Sequence, residues 1–267
     1  MIKSEAQSGN PVQRLKPIFA SAALLLAGTG LSGCFLSFSE TPGVPLDELD
    51  MSGAAPTEIG LSGPDDVILT VGEELAITVD GDDSVIKDLR FDLDGKELDI
   101  GRQRDWKDMT GKAVIRITMP APREIDLAGS GTITAPTVAS DTEISLAGSG
   151  RLTIAEIAAE RMEIDMAGSG EITGAGTIEK LEISSAGSST VSFAEVNARN
   201  VEITSAGSAN IDLASNGSVK ASMAGSGTVN IVGNAKCKLE SVGSGSLNCK
   251  PKSAAIVPDT TTGEDAE

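Results

Sequence analysis

The sequence predicts an all-β protein, a parallel β-helix or β-solenoid built from short coils of 18–20 residues with an N-terminal β-strand cap. The first observation is a repeated triplet, Ala-Gly-Ser or Val-Gly-Ser, whose glycines stand 18 to 20 residues apart at positions 129, 148, 168, 187, 207, 225 and 243. The second is an alternation of apolar and polar residues on both sides of each triplet, the pattern of β-strands. A period this short is typical of a stacked solenoid.

The repeats of residues 121–250 are expected to contain two strands each, joined at the glycine. In one repeat, for example, Ile144 and Leu146 precede the corner, and Leu152 and Ile154 follow it. Glycine at the corner provides the positive φ angle of a sharp bend and leaves room for the next coil. Stacking the coils at ~4.8 Å pairs the backbone groups and buries an aliphatic core.

Residues 61–120 lack this corner but contain alternating segments at 67–71, 75–79, 85–93, 98–100 and 113–119. The Asp94-Gly95 pair predicts a tight hairpin. We expect these strands to cap the first coil, because an open solenoid end exposes strand edges.

Ser84 and Lys87 have the S-x-x-K spacing of penicillin-interacting enzymes, but that motif needs a helix and the residues are predicted to begin a strand.

The two ends of the chain are predicted to lie outside the folded body. Residues 1–33 have the layout of a signal peptide, and Leu31-Ser32-Gly33-Cys34 resembles the lipobox that precedes a lipidated cysteine. An ordinary secretory signal with a chance cysteine is the alternative. Because Phe35 rather than Asp follows Cys34, we expect an outer-membrane lipoprotein, facing the periplasm or the surface. Residues 34–60 are predicted to form a flexible tether, and 251–267 a disordered acidic tail.

Three segments and the serial Gly-Ser-Gly units together resemble one family. The segments run over 72–81 (GEELAITVDG), 94–100 (DGKELDI) and 113–120 (AVIRITMP). With them, residues 61–250 are similar to the auto-transporter adhesin head, or GIN, domain family. The corners at Gly187 and Gly207 depart from the Gly-Ser-Gly form, and the last corner has Val242 in place of the usual alanine before it. The resemblance implies a β-helical body on secreted or lipid-anchored bacterial proteins, with a role in adhesion and no defined catalytic residues.

Composition excludes several kinds of chemistry. The chain has no histidine, which removes Ser-His-Asp catalysis and histidine-based zinc or haem sites. A net charge of −18, with no basic patch, makes nucleic acid an unexpected partner. No cofactor is predicted.

One row of acids could bind a cation. The position five residues before the corner glycine is glutamate in successive coils: Glu124, Glu143, Glu163, Glu182 and Glu202. Asp126 and Asp165 follow two residues further on. The row is predicted to be an outward-facing, solvated face. The alternative is a weak Ca²⁺ or cationic-surface site. The acids at 80–83 and 92–95 are predicted to form turns rather than calcium loops.

The cysteines Cys237 and Cys249 lie six residues on either side of Gly243, at inward positions of the last coil. In an oxidising compartment they could form a disulfide that cross-links the last coil of the solenoid. Two buried thiols are the alternative.

Together these features predict a non-catalytic, lipid-anchored envelope protein that serves as an adhesin-like or polymer-binding scaffold. Its partners would be the membrane, through Cys34, and an envelope polymer or surface protein; the sequence does not fix an oligomeric state. The alternative is a polysaccharide-active enzyme, a lyase or hydrolase. Coils without long insertions, the absence of tyrosine and a single tryptophan favour the scaffold, because sugars stack on aromatic rings.

Overall fold

The computed structural model describes residues 43–103 and 111–251. The predicted signal peptide, Cys34, the first part of the tether, and residues 252–267 of the tail lie outside the described residues. The described part is an all-β solenoid of about seven turns, which confirms the predicted fold class. No helix among the described residues is long and apolar enough to span a membrane.

The structure contains strands, one 3₁₀ helix and one short α-helix. The helices are η1 (Leu46–Glu48) and α1 (Asp83–Ile86). The strands are β1 (Glu58–Gly63), β2 (Asp66–Val71), β3 (Ala76–Asp80), β4 (Leu89–Asp94), β5 (Glu97–Arg102), β6 (Val114–Met119), β7 (Glu124–Gly129), β8 (Thr132–Thr137), β9 (Asp141–Gly148), β10 (Arg151–Gly168), β11 (Glu171–Gly187), β12 (Thr190–Gly207), β13 (Asn210–Ala214), β14 (Ser218–Gly225), β15 (Thr228–Val232), β16 (Lys236–Gly243) and β17 (Ser246–Lys250).

The strands form two parallel ladders that meet at the glycine corners. One ladder runs β5, β1, β7, β9, the second halves of β10, β11 and β12, then β14 and β16. The other runs β6, β2, β8, the first halves of β10, β11 and β12, then β13, β15 and β17. The two strands of each predicted repeat therefore stack as expected.

The core is an aliphatic stack inside these ladders. The alternating residues that the sequence assigns to the interior, such as Ile144, Leu146, Leu152 and Ile154, are buried. Apolar burial of this kind is the main favourable term in folding, and stacking the coils satisfies the backbone groups at the same time. The long strands β10, β11 and β12 also bend to add a third side, which begins near Ile157 in β10 and was not predicted.

The N-terminal cap is smaller than expected because residues 58–71 are themselves a coil. β1 pairs in register with β7, and Gly63 lies opposite Gly129. This coil lies between β7 and β5, although β5 comes later in the chain than β1. The cap consists of β3 and β4, which pair antiparallel with β6 and β5, and the hairpin predicted at Gly95 joins β4 to β5.

The strand predicted at 85–93 is wrong in its first part. Residues Asp83–Ile86 form α1, and the strand begins at Leu89. The amides of Val85 and Ile86 donate to the carbonyl of Asp82, so local hydrogen bonds close a helical turn and bury Val85. Ser84 and Lys87 thus belong to a helical turn, yet both are exposed.

The predicted tether ends earlier than residue 60. Val44 exchanges two backbone hydrogen bonds of 2.8 Å with Phe91, and Leu46 and Leu49 pack against the core. These contacts hold residues 44–49 on the body, and the amide of Thr57 donates to the carbonyl of Lys96, whereas residues 50–54 between them are exposed. Residues 43–60 are therefore not the flexible tether expected over 34–60, and residues 34–42 lie outside the described residues.

A buried ion pair fastens the cap to the first coil. Arg102 donates to both carboxylate oxygens of Asp65, at 2.8 and 2.5 Å, and both side chains are almost fully buried. The amide of Ala113 donates to the same carboxylate at 2.7 Å. Asp65 lies two residues after the corner glycine Gly63, at a position that is glycine in most other coils, and its charge is satisfied by β5 and by the residue before β6.

Candidate functional site

The predicted row of glutamates is one continuous ladder on the first sheet face. The five predicted residues pair in register from β7 to β12. The structure adds Glu58 and Glu97, which precede Glu124 in the stack. We call this row the acidic ladder; its members in spatial order are Glu97, Glu58, Glu124, Glu143, Glu163, Glu182 and Glu202.

Sequence reasoning missed Glu58 and Glu97, although a signal for Glu58 was present. The run Glu58-Ile59-Gly60-Leu61 has the same pattern as Glu124-Ile125-Asp126-Leu127. Its corner reads Ser62-Gly63-Pro64, so the triplet that marks the other coils is absent.

A second row runs beside the acidic ladder, two residues further along each strand. At its N-terminal end it contains Asp99, Gly60 and Asp126 in neighbouring strands. A side chain at Gly60 would overlap the Asp99 carboxylate, which therefore lies over Gly60. Because Gly60 stands between Asp99 and Asp126, this places the Asp99 carboxylate on the side that faces Asp126. The next strand outward, β4, places Asp92 opposite Asp99. Carboxylates are therefore concentrated at the N-terminal end of this face.

The expectation of a solvated row holds at one end of the acidic ladder and fails at the other. Glu202 is exposed and Glu124 is half-buried, whereas Asp126 has an exposed fraction of only 9%. Its in-register neighbours are Gly60 and Ser145, and its Oδ1 has no hydrogen-bond partner among the described residues.

This environment shifts acid pKa values upward. Burial raises the pKa of Glu124 to about 7, and the charges of Asp126 and Glu143 add to the effect. Burial also raises the pKa of Asp126 to about 6, against a hydrogen bond from Ser145 that lowers it. The pKa values of Glu97 and Asp165 are raised too, first by burial. Near neutral pH, part of this face therefore carries protons.

The acids do not form a metal centre as they stand. Across 43–103 and 111–251, no three carboxylates or cysteines are grouped so that they could hold a metal ion. The acid-rich segment 80–83 leads into α1, and Asp94 lies at the hairpin turn. The C-terminal end of the ladder becomes basic, where Lys220 donates to Glu202 at 2.9 Å and Lys238 follows in the next coil.

A groove of about 880 Å³ lies on the third side of the solenoid, away from the carboxyl-rich end. Its lining is mostly amide, hydroxyl and charged groups: Ala159, Thr177, Ile178, Glu179, Asn197, Arg199, Asn200, Asn216, Gly217, Ser218, Asn234 and Lys236. No member of the acidic ladder lines it. Sequence reasoning missed the groove, although the shortening of the repeat from 20 to 18 residues after Gly207 is a signal for it.

The two cysteines lie at the last coil. Cys237 is in register with Val219, and Cys249 with Ile231, as the repeat predicts. In the structure their sulfurs form a disulfide, with the Cα atoms 6.7 Å apart. No later coil covers them among the described residues, so Cys249 is exposed and Cys237 half-buried.

Comparison with known proteins places this geometry in a family. The family model described as "Putative auto-transporter adhesin, head GIN domain" matches residues 55–235. No curated protein sequence is significantly similar to the chain.

Solved structures share the fold at low sequence identity. A putative adhesin from Bacteroides fragilis NCTC 9343 superposes with a TM-score of 0.66 at 18% identity, over 73% of this chain and 93% of that one. A putative adhesin from Parabacteroides distasonis ATCC 8503 gives 0.59 at 16%, over 74% and 94%. A putative lipid binding protein from the same strain gives 0.56 at 20%, over 74% and 93%.

Proposed function

Because the chain belongs to the putative auto-transporter adhesin, head GIN domain family, we propose that it is a non-catalytic adhesive scaffold of the bacterial cell envelope. The observation that supports this most is the in-register repetition of polar side chains, as in the acidic ladder from Glu97 to Glu202. A rigid surface with one repeated group per coil suits a repeated ligand, such as a polymer or an array of surface proteins, better than a single small substrate.

We further propose that the body is held at the membrane by lipid on Cys34. The support is in the sequence: a basic start, an apolar run at 18–31 and the segment Leu31-Ser32-Gly33-Cys34. Phe35 after the cysteine favours the outer membrane. With a net charge of −18, the chain is repelled by anionic lipid, so acyl chains rather than the protein surface would provide the attachment.

Cell fractionation and attachment assays test the anchor and the adhesive role separately. In the native host, we expect the full chain in the membrane fraction and the Cys34→Ser variant in the soluble fraction. A deletion strain should attach less to polystyrene and to immobilised cells of its own strain. Restoration by the full chain but not by the variant supports an anchored adhesin. Unchanged attachment on deletion rejects the adhesive role, and a variant that stays membrane-bound rejects the anchor.

A polysaccharide-active enzyme is the second candidate, and one observation favours it. The pKa of Glu124 is raised to about 7 beside the carboxylate of Asp126, and glycoside hydrolysis needs a protonated acid next to a second acid. Against it, neither residue lines the groove. Incubation with neutral and acidic polysaccharides should release no new reducing or unsaturated ends. Products that disappear in Glu124→Gln would make the enzyme the better assignment.

A further inference from the structure

The groove on the third side exists because the solenoid narrows at one coil boundary. In β12 the pairing with the next coil jumps from Phe193 opposite Leu213 to Asn197 opposite Ala214, so residues 194–196 have no partner in β13. The coils that follow take a shorter path past Gly217. A side chain at Gly217 would overlap the carbonyl oxygen of Arg199, so this turn lies directly against the longer coil. The step between the longer and shorter coils is where the groove lies.

The groove carries polar side chains at equivalent positions of successive coils. Asn200, Ser218 and Lys236 are in register, and Asn216 and Asn234 each stand two residues before a member of this row. Neighbouring members of a row are therefore ~4.8 Å apart, one coil spacing. This repeat is comparable with the length of one sugar residue in an extended polysaccharide.

Several of these groups are available to a ligand. The amide of Asn216 accepts a hydrogen bond through Oδ1 from the backbone of Asn234 at 3.1 Å, which leaves its NH₂ group as a donor. Within residues 43–103 and 111–251, the side chains of Asn197 and Asn234 have no hydrogen-bond partner and Lys236 has no ion-pair partner. Amide groups carry both donors and acceptors, which matches the hydroxyl groups of a sugar.

The charge of the groove differs from that of the molecule. Arg199 pairs with Glu179 at 3.0 Å, and Lys236 adds an unpaired ammonium, so the lining is net positive on a chain of net charge −18. A ligand anion is repelled by the net charge of the molecule but meets two cationic groups against one carboxylate here, which favours a ligand that combines hydroxyl groups with carboxylates.

We propose that this groove binds a strand of acidic polysaccharide, with Lys236 and Arg199 facing the carboxylates and the asparagine side chains binding the sugar hydroxyls. The proposal rests on the proposed function, because it names the ligand class of the adhesive scaffold. Binding here is non-covalent and involves no bond cleavage.

Calorimetry with defined polymers tests the proposal. The full chain is titrated with polygalacturonate, which has hydroxyls and carboxylates, with neutral dextran, and with poly-L-glutamate, which has carboxylates alone. Polygalacturonate is expected to bind at least about tenfold more tightly than either control, because dextran lacks the charge-assisted hydrogen bonds of the carboxylates and poly-L-glutamate lacks the hydrogen bonds of the hydroxyls. Equal binding of dextran or of poly-L-glutamate would overturn the assignment, as would no binding of polygalacturonate.

A matched pair of lysine variants locates the binding. Lys236→Ala removes the ammonium in the groove and should weaken polygalacturonate binding about tenfold. Lys238→Ala removes the same charge from the same strand, but this lysine pairs with Glu240 outside the groove and its loss should leave affinity unchanged. Equal losses in the two variants would show a response to net charge alone and reject the groove. Asn234→Ala provides a second groove variant, and circular dichroism checks the fold of all three.

The outcome separates this proposal from the adhesive role. If deletion of the chain reduces cell attachment while polygalacturonate fails to bind, only the groove assignment is rejected. If polygalacturonate binds through Lys236 while attachment is unchanged, the groove assignment stands and adhesion is rejected.

Discussion

At the scale of single residues, the buried side chain two positions before a corner glycine contacts a residue two positions after a corner glycine, either in the next coil or in its own. Where Leu146 occupies the first position, its methyl group fills the space beside Gly170 in a neighbouring coil. Where the first position is Ser185, the corner ends in Ser189, and the two hydroxyls share a buried hydrogen bond of 2.5 Å. The irregular corner at Gly187 is thus explained by a compensating polar pair.

A pair of serine variants tests this link. Ser205 is the in-register neighbour of Ser185, but its buried hydroxyl has no partner in the described part of the chain. Ser185→Ala leaves the buried Ser189 hydroxyl without its hydrogen-bond partner and should lower the free energy of unfolding by about 1–3 kcal/mol. Ser205→Ala removes an unsatisfied group and should leave stability unchanged or slightly higher. Urea denaturation followed by circular dichroism measures both, and equal losses would contradict the hydrogen-bond account.

The raised pKa of Glu124 predicts a pH dependence of stability. The folded state holds this proton up to about pH 7, whereas the unfolded chain releases it near 4.5. A carboxyl whose pKa is raised on folding stabilises the protein at pH values below the unfolded pKa, and this contribution is lost as pH rises through the folded pKa. The melting temperature of the wild type should therefore fall between about pH 4.5 and pH 7.

Removing the titrating group should flatten that profile. Glu124→Gln is expected to reduce the fall in melting temperature over this interval, and added salt should reduce it in the wild type by screening the neighbouring acids. Glu202→Gln is the matched control, since Glu202 is exposed and paired with Lys220 and should leave the profile unchanged. A melting temperature that rises over the same interval would show that other groups dominate.

At the scale of the coil, the corner glycine is needed both for its backbone angle and for close stacking. Gly168 has φ of +117°, and a Cβ there would lie 2.5 Å from the carbonyl oxygen of Gly148 in the preceding coil. The same contact recurs at successive corners, so the repeat of glycine reflects the stacking distance itself.

Gly168→Ala is therefore expected to destabilise the solenoid strongly. The left-handed backbone and the clash together should cost at least about 2 kcal/mol. Ala167→Ser, at the exposed neighbouring position, should change stability by no more than about 0.5 kcal/mol. Chemical denaturation compares them, and a neutral effect of Gly168→Ala would mean that the corner can relax.

The disulfide of the last coil is expected to limit fraying. Cys237 and Cys249 close a loop of sequence separation 12, for which the chain-entropy model gives about 3 kcal/mol. Thiol titration of the denatured, unreduced Cys34→Ser variant, which keeps only these two of the three cysteines, should detect no free thiol. Replacing both with serine should speed amide exchange in β16 and β17 but not in β10. Two titratable thiols would contradict the pairing.

The sequence predicts the regular elements well because the repeat period fixes both the strand pattern and the register. That is why the ladder from Glu124 to Glu202 could be predicted. It does not predict α1, because local hydrogen bonds to Asp82 outweigh the alternation around Val85. It also does not place β1 between β5 and β7, because parallel pairing is non-local and alternation does not name the neighbouring strand.

The candidate sites could be predicted less well from the sequence, again because they depend on which coils become neighbours. Asp126 lies beside Gly60 and the Asp99 carboxylate because β5 stacks next to β1 out of chain order. The groove depends on a register jump between β12 and β13, and only the length of the repeats hints at it. Both features are differences between coils, whereas the repeat pattern describes what the coils share.

At the scale of the whole body, the two ends of the solenoid differ. The N-terminal end is closed by antiparallel β3 and β4 and by the buried Asp65–Arg102 pair. At the other end Leu239 and Val242 have exposed fractions of 37% and 79%, and β16 and β17 have a partner strand on one side only among the described residues. In a solenoid, stability is approximately a sum of nearest-neighbour terms, so we expect it to vary along the stack.

Hydrogen exchange with an N-terminal variant tests this asymmetry. In the wild type, β16 and β17 should exchange fastest and the middle coils slowest, with β5 and β6 protected. Asp65→Asn removes the charged acceptor of the hydrogen bonds from Arg102 and from the Ala113 amide and should lower the free energy of unfolding by about 1.5–3 kcal/mol, the range for hydrogen bonds to a charged group. That cost should appear as faster exchange in β5 and β6. Lys112→Ala breaks an exposed pair with Asp66 and should cost no more than about 1 kcal/mol. If Asp65→Asn instead accelerates exchange equally in β5 and in β16, the solenoid unfolds as one cooperative unit and the nearest-neighbour picture does not apply to it.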